Sequence, residues 1–251
     1  MLSEIIFPKT YTIFGFEVGY YLTFFVVGFL GIFIFNTFYG KKFNIKPAKG
    51  LLLSVSSYLL IFVWAYVLAW VESLFSDWGH HNVVRVYIWM PLLLFLLAKP
   101  MKLKWKACVD FIAPSTCLVF GFVKFGCMFP GCCYGIPCEW GIFSHQAGHL
   151  CFPVQFCEAV TALILAAITL IMNKKKNYVS DARTYFIMLI PYGLTRFVWE
   201  FFRDNDKLFL NISSLALHAL LMSVVGAIML VVLHYKDKKQ PQALQTEALR
   251  Q

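Results

Sequence analysis

The sequence predicts an all-α, polytopic membrane protein with about seven transmembrane helices, its N-terminus outside and its C-terminus in the cytoplasm. Three observations predict it. The 251 residues are 60% hydrophobic and only 14% charged, whereas soluble domains average roughly 45–50% apolar and about 25% charged. Apolar runs close to the ~20 residues that span a bilayer recur along the chain. Basic residues crowd every second connection between those runs.

By hydropathy the spans fall near 18–39, 51–71, 82–98, 107–126, 153–172, 184–200 and 213–234, the third being the shortest. Lys41, Lys42, Lys46 and Lys49 follow the first span, and Lys99, Lys102, Lys104 and Lys106 follow the third. Lys174, Lys175, Lys176 and Arg183 follow the fifth, and Lys236, Lys238, Lys239 and Arg250 follow the seventh. These are sixteen of the 22 basic residues. The alternate segments hold Lys9, Arg85, Arg203 and Lys207, and Lys124 and Arg196 lie within spans. Cytoplasmic loops accumulate Lys and Arg, so the alternation sets the orientation. The formal net charge of +9 is thereby assigned to topology and anionic lipid, and no nucleic-acid partner is expected. Glu4, Lys9 and Glu17 near the start, with a first apolar run too long for a signal sequence, argue against a cleavable leader. One integral domain over 1–235 and a polar cytoplasmic tail over 236–251 are expected.

An ionisable side chain is expensive in a bilayer and marks a functional site by default. Lys124 lies near the end of span four, Glu158 one to two turns into span five, and Arg196 near the end of span six. Arg196, Glu200 and Arg203, spaced four and three apart, share one helical face. All of these positions fall at the outer depth. Two readings remain open, and they are compatible. One is a structural ion-pair network in which Glu158 and Glu200 neutralise Lys124 and Arg196. The other is a pocket for an anionic lipid headgroup, since guanidinium forks donate paired hydrogen bonds to phosphate. A transporter is disfavoured, because its ionisable groups belong near the midplane.

The segment Phe120–Gly135 combines Gly121 and Gly126, suited to close helix contact, with Gly131 and Gly135, suited to tight turns. Pro130 and Pro137 end any helix there. Non-helical backbone at membrane depth must be buried or line a cavity, so a cavity floor is expected at this end of span four. Cys127, Cys132, Cys133, Cys138, Cys151 and Cys157 lie in or beside the same outer loop. No Cys-x-x-Cys pair is present and the spacing matches no common zinc pattern, so no metal is expected. A disulfide remains open if the compartment is oxidising. Cys108 and Cys117 read as small apolar packers, and His145 and His149 as loop polarity.

Taken together, several motifs resemble the prolipoprotein diacylglyceryl transferases, seven-span bacterial enzymes. Tyr21 with Gly28-Phe29-Leu30-Gly31 resembles the first-span pattern, with Leu22 in place of a glycine. Asp110-Phe-Ile-Ala-Pro114 and Lys124-Phe-Gly-Cys-Met-Phe-Pro-Gly-Cys-Cys-Tyr-Gly135 resemble the signature helix and loop of the branch ending Gly-Cys-Cys-Tyr-Gly. Pro153-Val-Gln155-Phe-Cys-Glu158 resembles Pro-x-Gln-x-x-Glu. Tyr192-Gly-Leu-Thr-Arg196-Phe-Val-Trp-Glu200-Phe-Phe-Arg203 resembles Tyr-Gly-x-x-Arg-Phe-x-x-Glu-x-x-Arg. In two places the chain departs from the pattern. Lys124, preceded by Val123, replaces the signature Gly-Arg, and Tyr87-Ile-Trp-Met-Pro91 replaces a (His or Tyr)-Gly-Gly segment, with Pro91 placed to kink span three.

The resemblance implies transfer of the diacylglyceryl group from phosphatidylglycerol to the lipobox cysteine of a prelipoprotein, with release of glycerol phosphate. No cofactor is implied, and a monomer in the bacterial cytoplasmic membrane is expected. Arg196 and Lys124 are expected to hold the phosphate, Arg203 to help at the rim, and Glu158 and Glu200 to orient the cations. Tyr21, Tyr87 and Tyr192, together with Gln155, Gly126, Gly131 and Gly135, are expected to contact substrate. No general base is evident; His81 is a candidate only because it lies on the outer side, and a plain loop histidine is the stronger reading. A related transferase with a different acceptor, and a phospholipid-binding protein without turnover, remain alternative readings.

Overall fold

The computed structural model describes residues 6–74, 87–204 and 212–248. Seven α-helices run through the described residues: α1 (Tyr20–Tyr39), α2 (Pro47–Ser73), α3 (Met90–Ala98), α4 (Trp105–Met128), α5 (Val154–Lys175), α6 (Arg183–Glu200) and α7 (Ser214–Ala248). Five of them, α1, α2, α4, α5 and α7, are long and apolar enough to cross a membrane. The helix ends fall close to the hydropathy limits except at α2, which starts earlier, at α3, which starts only at Met90 where the span was expected from 82, and at α7, which continues past Lys236 through residues expected as a tail. Of the third span, 82–86 lie outside the described residues. Pro91 stands in the first turn of α3, where its missing N–H costs nothing, so it starts this helix instead of kinking it.

Helix α4 is the hub, packing against α1, α3, α5 and α6, while α7 packs on α6 and α2 on α1. Its residues Ala107 to Cys117 are all buried, among them the large side chains of Phe111 and Ile112. A Cβ on Gly121 would sit 3.1 Å from Leu163, and one on Gly126 3.0 Å from Phe24, so both glycines permit close helix approach. Pro114 cannot donate to the carbonyl four residues back. That carbonyl, on Asp110, instead accepts from Asn173 Nδ2 at 2.9 Å.

Contacts gather the basic connections at one end of the bundle. Lys49 Nζ donates to the Met101 carbonyl at 2.7 Å, Lys42 lies over the Tyr178 ring, and Lys106 and Arg183 both reach Asp237. The opposite end carries two antiparallel hairpins, β1 (Thr10–Ile13) with β2 (Phe16–Gly19) and β3 (Pro137–Ser144) with β4 (His149–Cys151). These are the departure from a purely helical expectation. The first turns through Phe14 and Gly15, both at positive φ, as two-residue hairpin turns require.

Candidate active site

At the hairpin end, the last turn of α4, the first turns of α5 and the end of α6 bring five charged side chains together. Glu158 is the centre. Its Oε2 lies 2.8 Å from Lys124 Nζ and 2.6 Å from Arg203 Nη2, and its Oε1 lies 3.0 Å from Arg196 Nη1. Arg196 also pairs with Glu200, whose second oxygen accepts from Ser213 Oγ at 2.9 Å. All five are buried, from 1% exposed at Glu200 to 7% at Lys124. Three cations thus share two carboxylates. Such a cluster attracts a further anion, because low dielectric strengthens the attraction. Arg196 Nε and Nη2 and the Tyr192 hydroxyl are buried with no hydrogen-bond partner among the described residues. Buried donors are normally satisfied.

Beside the cluster, a cavity of about 200 Å³ lies against α1, α2, the start of the α3 segment and α4. Its walls are mainly aromatic and aliphatic, among them Phe25, Phe29, Phe62 and Phe120, and Lys124, Cys127, Cys133 and the tyrosines supply its polar groups. Lys124 is the cluster cation on this wall. Arg196, expected to hold the phosphate, does not line the cavity and instead bridges both carboxylates. Arg203, expected at the rim, is buried on Glu158. Its turn is tied down by backbone: Gly135 and Arg203 form a β-bridge, and Ile136 N donates to the Phe202 carbonyl at 2.9 Å.

Of the expected substrate contacts, Tyr21 and Tyr87 line the cavity. Tyr192 does not; its ring packs edge-on against Phe120 and Tyr87. Gln155 holds the loop, donating from Nε2 to the Cys132 carbonyl at 2.8 Å. Gly126 admits α1, Gly131 turns the chain at φ +72°, and a Cβ on Gly135 would meet the Phe152 carbonyl at 2.5 Å; these three shape backbone and are not on the cavity wall. His80, His81 and Arg85 lie outside the described residues.

Two contributions escaped the sequence reading. Ser213, at the start of α7, accepts from Ala216 N at 3.1 Å while donating to Glu200, and a serine just ahead of a helix was the available signal. The aromatic wall was foreshadowed by Phe25/Phe29 and Tyr58/Phe62, each pair four apart on one helix face. The eight cysteines are free thiols. Cys127, Cys132 and Cys133 nevertheless converge, their sulfurs all within 4.8 Å of one another.

A model of the family described as prolipoprotein diacylglyceryl transferase matches residues 8–233. The chain belongs to that family. Similar proteins named phosphatidylglycerol–prolipoprotein diacylglyceryl transferase occur in Clostridium tetani (30% identical over 39% of this chain and 42% of the relative) and Nitrosomonas europaea (31% over 52% and 48%). A Clostridium perfringens protein carrying that name with the number 2 is 25% identical over 68% of this chain and 69% of its own. The matches to the first two span less than half of each relative's length.

Proposed function

We propose that this member of the family transfers the diacylglyceryl group of phosphatidylglycerol to the lipobox cysteine of a prelipoprotein, in the bacterial cytoplasmic membrane, with the hairpin end outside and the basic end in the cytoplasm. The observation that supports it is Lys124: a buried ammonium on the wall of an otherwise largely apolar cavity, backed by a cluster with more cations than carboxylates. An anionic lipid has the matching shape, one charged group at the head of apolar chains. The names of the relatives point to the same lipid and acceptor.

In this reading Lys124 receives the phosphate, while Arg196 and Arg203 hold Glu158 so that it does not neutralise Lys124 fully. The acceptor thiolate attacks the glyceryl carbon that carries the phosphate oxygen. A C–S bond forms, the C–O bond breaks, and glycerol phosphate leaves with the electron pair. Charge accumulates on the phosphate as it departs, and a fixed cation in a dry site stabilises it without reorganisation. Tyr21 and Tyr87 stand where the glyceryl portion would lie.

The test is transfer by purified protein in detergent, supplied with phosphatidylglycerol and a lipobox peptide, reading peptide mass gain and released glycerol phosphate. Product in the native protein, lost in Lys124→Ala and retained in Lys124→Arg, is expected. Lipid bound without product would overturn the reading in favour of a phospholipid-binding protein. Product in which a different acceptor is modified would reassign the acceptor.

A further inference from the structure

The function above makes no use of the three converging thiols, although Cys127 and Cys133 line the cavity beside Lys124. Their meeting depends on a fold-back. Cys127 sits in the last turn of α4, and the chain reverses through Gly131 at φ +72° and Cys133 at φ +60°. The second is a conformation that non-glycine residues rarely adopt and that is held only where surroundings enforce it. Ser144 Oγ donates to the Gly131 carbonyl at 2.7 Å, and Gln155 to that of Cys132; both side chains are buried. Sequence spacing hid this geometry, since the fold-back sets the sulfur positions.

We propose that Cys127, Cys132 and Cys133 form a three-thiolate site for a thiophilic d10 cation, zinc being the divalent choice, with its remaining coordination position toward the cavity. Zinc–sulfur bonds of about 2.3 Å require sulfurs roughly 4 Å apart, which thiols already within 4.8 Å reach by small side-chain rotations. Soft thiolates select zinc or copper(I) over magnesium or calcium. Binding displaces three protons, one from each thiol, and leaves a complex with one net negative charge that Lys124 on the same wall offsets. Three protein ligands with an accessible fourth position distinguish catalytic zinc sites from closed structural ones. Resting on the function proposed above, the fourth position would take the acceptor cysteine, which loses its proton to solvent on binding and is presented as thiolate. Among the described residues, no side chain at the site otherwise supplies that deprotonation.

The test uses purified full-length protein in detergent, reduced and freed of metal, titrated with cobalt(II) and then zinc. Expected are a thiolate-to-cobalt absorption band saturating at one equivalent, release of three protons, and loss of the band on zinc addition. Cys133→Ser, at an exposed position and thus tolerant of substitution, should weaken binding at least about tenfold, as should Cys132→Ser. Cys138→Ser should leave binding unchanged. No thiolate band, or a band of equal affinity in the Cys132→Ser/Cys133→Ser double variant with its native helical spectrum, would overturn the site. The transfer assay separates the two proposals. Metal bound without transfer leaves the site standing and sinks the function. Transfer without metal binding does the reverse.

Discussion

Helices α4, α5 and α6 carry buried polar groups at each end, a single carboxylate at one and five charged side chains at the other, and the two differ in how fully they are satisfied. At the basic end, Asp110 Oδ2 accepts from Ala182 N at 2.8 Å and Asp181 N at 3.1 Å, while Oδ1 accepts from Thr184 N at 2.9 Å. One carboxylate thus closes the start of α6 in the manner of a helix cap. Asn173 completes the set, accepting from Thr184 Oγ1 at 2.7 Å. At the hairpin end, cations outnumber carboxylates and Arg196 keeps two donors without partners among the described residues. In the first arrangement the buried carboxylate is met by three backbone donors. The second has donors left over among the described residues, and burial of equal depth therefore distinguishes nothing by itself. Residual hydrogen-bonding and charge capacity do.

The largest effect is expected at Glu158. Glu158→Gln leaves three buried cations with one carboxylate, and breaking a buried pair costs about 3–5 kcal/mol. Thermal unfolding in detergent should show it; an unchanged midpoint would mean the cluster does not hold the helices together. Next comes Lys124→Ala, which should lower the transfer rate at least about 100-fold, the scale of losing one preorganised charge-stabilising donor. Lys124→Arg should restore most of it, as read by peptide mass gain. At the other end, Asp110→Asn should destabilise by about 1–2 kcal/mol, while folded protein transfers at the native rate. A lost rate with intact folding would show that the two ends are not separable.

The smallest effect concerns Asp181, in the connection before α6. Burial pushes its carboxyl up, but the Lys176 ammonium at 2.9 Å and the Arg183 N–H at 3.0 Å outweigh that and hold it below its ordinary value of 3.8. A lowered folded-state value stabilises above the unfolded value and is lost as the pH falls through the folded one. Asp181→Asn should therefore cost at most about 1 kcal/mol near neutral pH, the range for partly exposed pairs. That difference should shrink as the pH drops below 3.8. A difference that persists in acid would assign the effect to packing.

Much of this was legible because the solvent writes it into the chain. A bilayer demands long apolar runs, so the limits of α4, α5 and α6 stood within a few residues of their observed ends. It penalises stray charge, so Lys124, Glu158, Arg196 and Glu200 announced themselves and do converge. What stayed hidden depends on local backbone geometry. Phe14-Gly15 lacks the Asn-Gly signature of a tight hairpin turn. Both Arg196 and Lys124 were expected to hold the phosphate, but only Lys124 stands on the cavity wall, because Arg196 is drawn across to Glu158 and Glu200. Gln155, Gly131 and Gly135 stand in a motif that resembles a substrate contact, yet they fix the loop that aims the cysteines.

The α1 side of the cavity is fastened differently from the α5–α6 side. Phe25 and Phe29 of α1 pack on Phe62 of α2 with ring centroids 6.0 and 5.9 Å apart, whereas ion pairs and the Gly135–Arg203 bridge lock α4, α5 and α6. Packed rings part without rupturing a hydrogen bond, so in the proposed function the gap between α1 and α2 would serve as the door. A two-tailed lipid arriving sideways from the bilayer would part α1 and α2 and leave the locked trio of helices as the door frame.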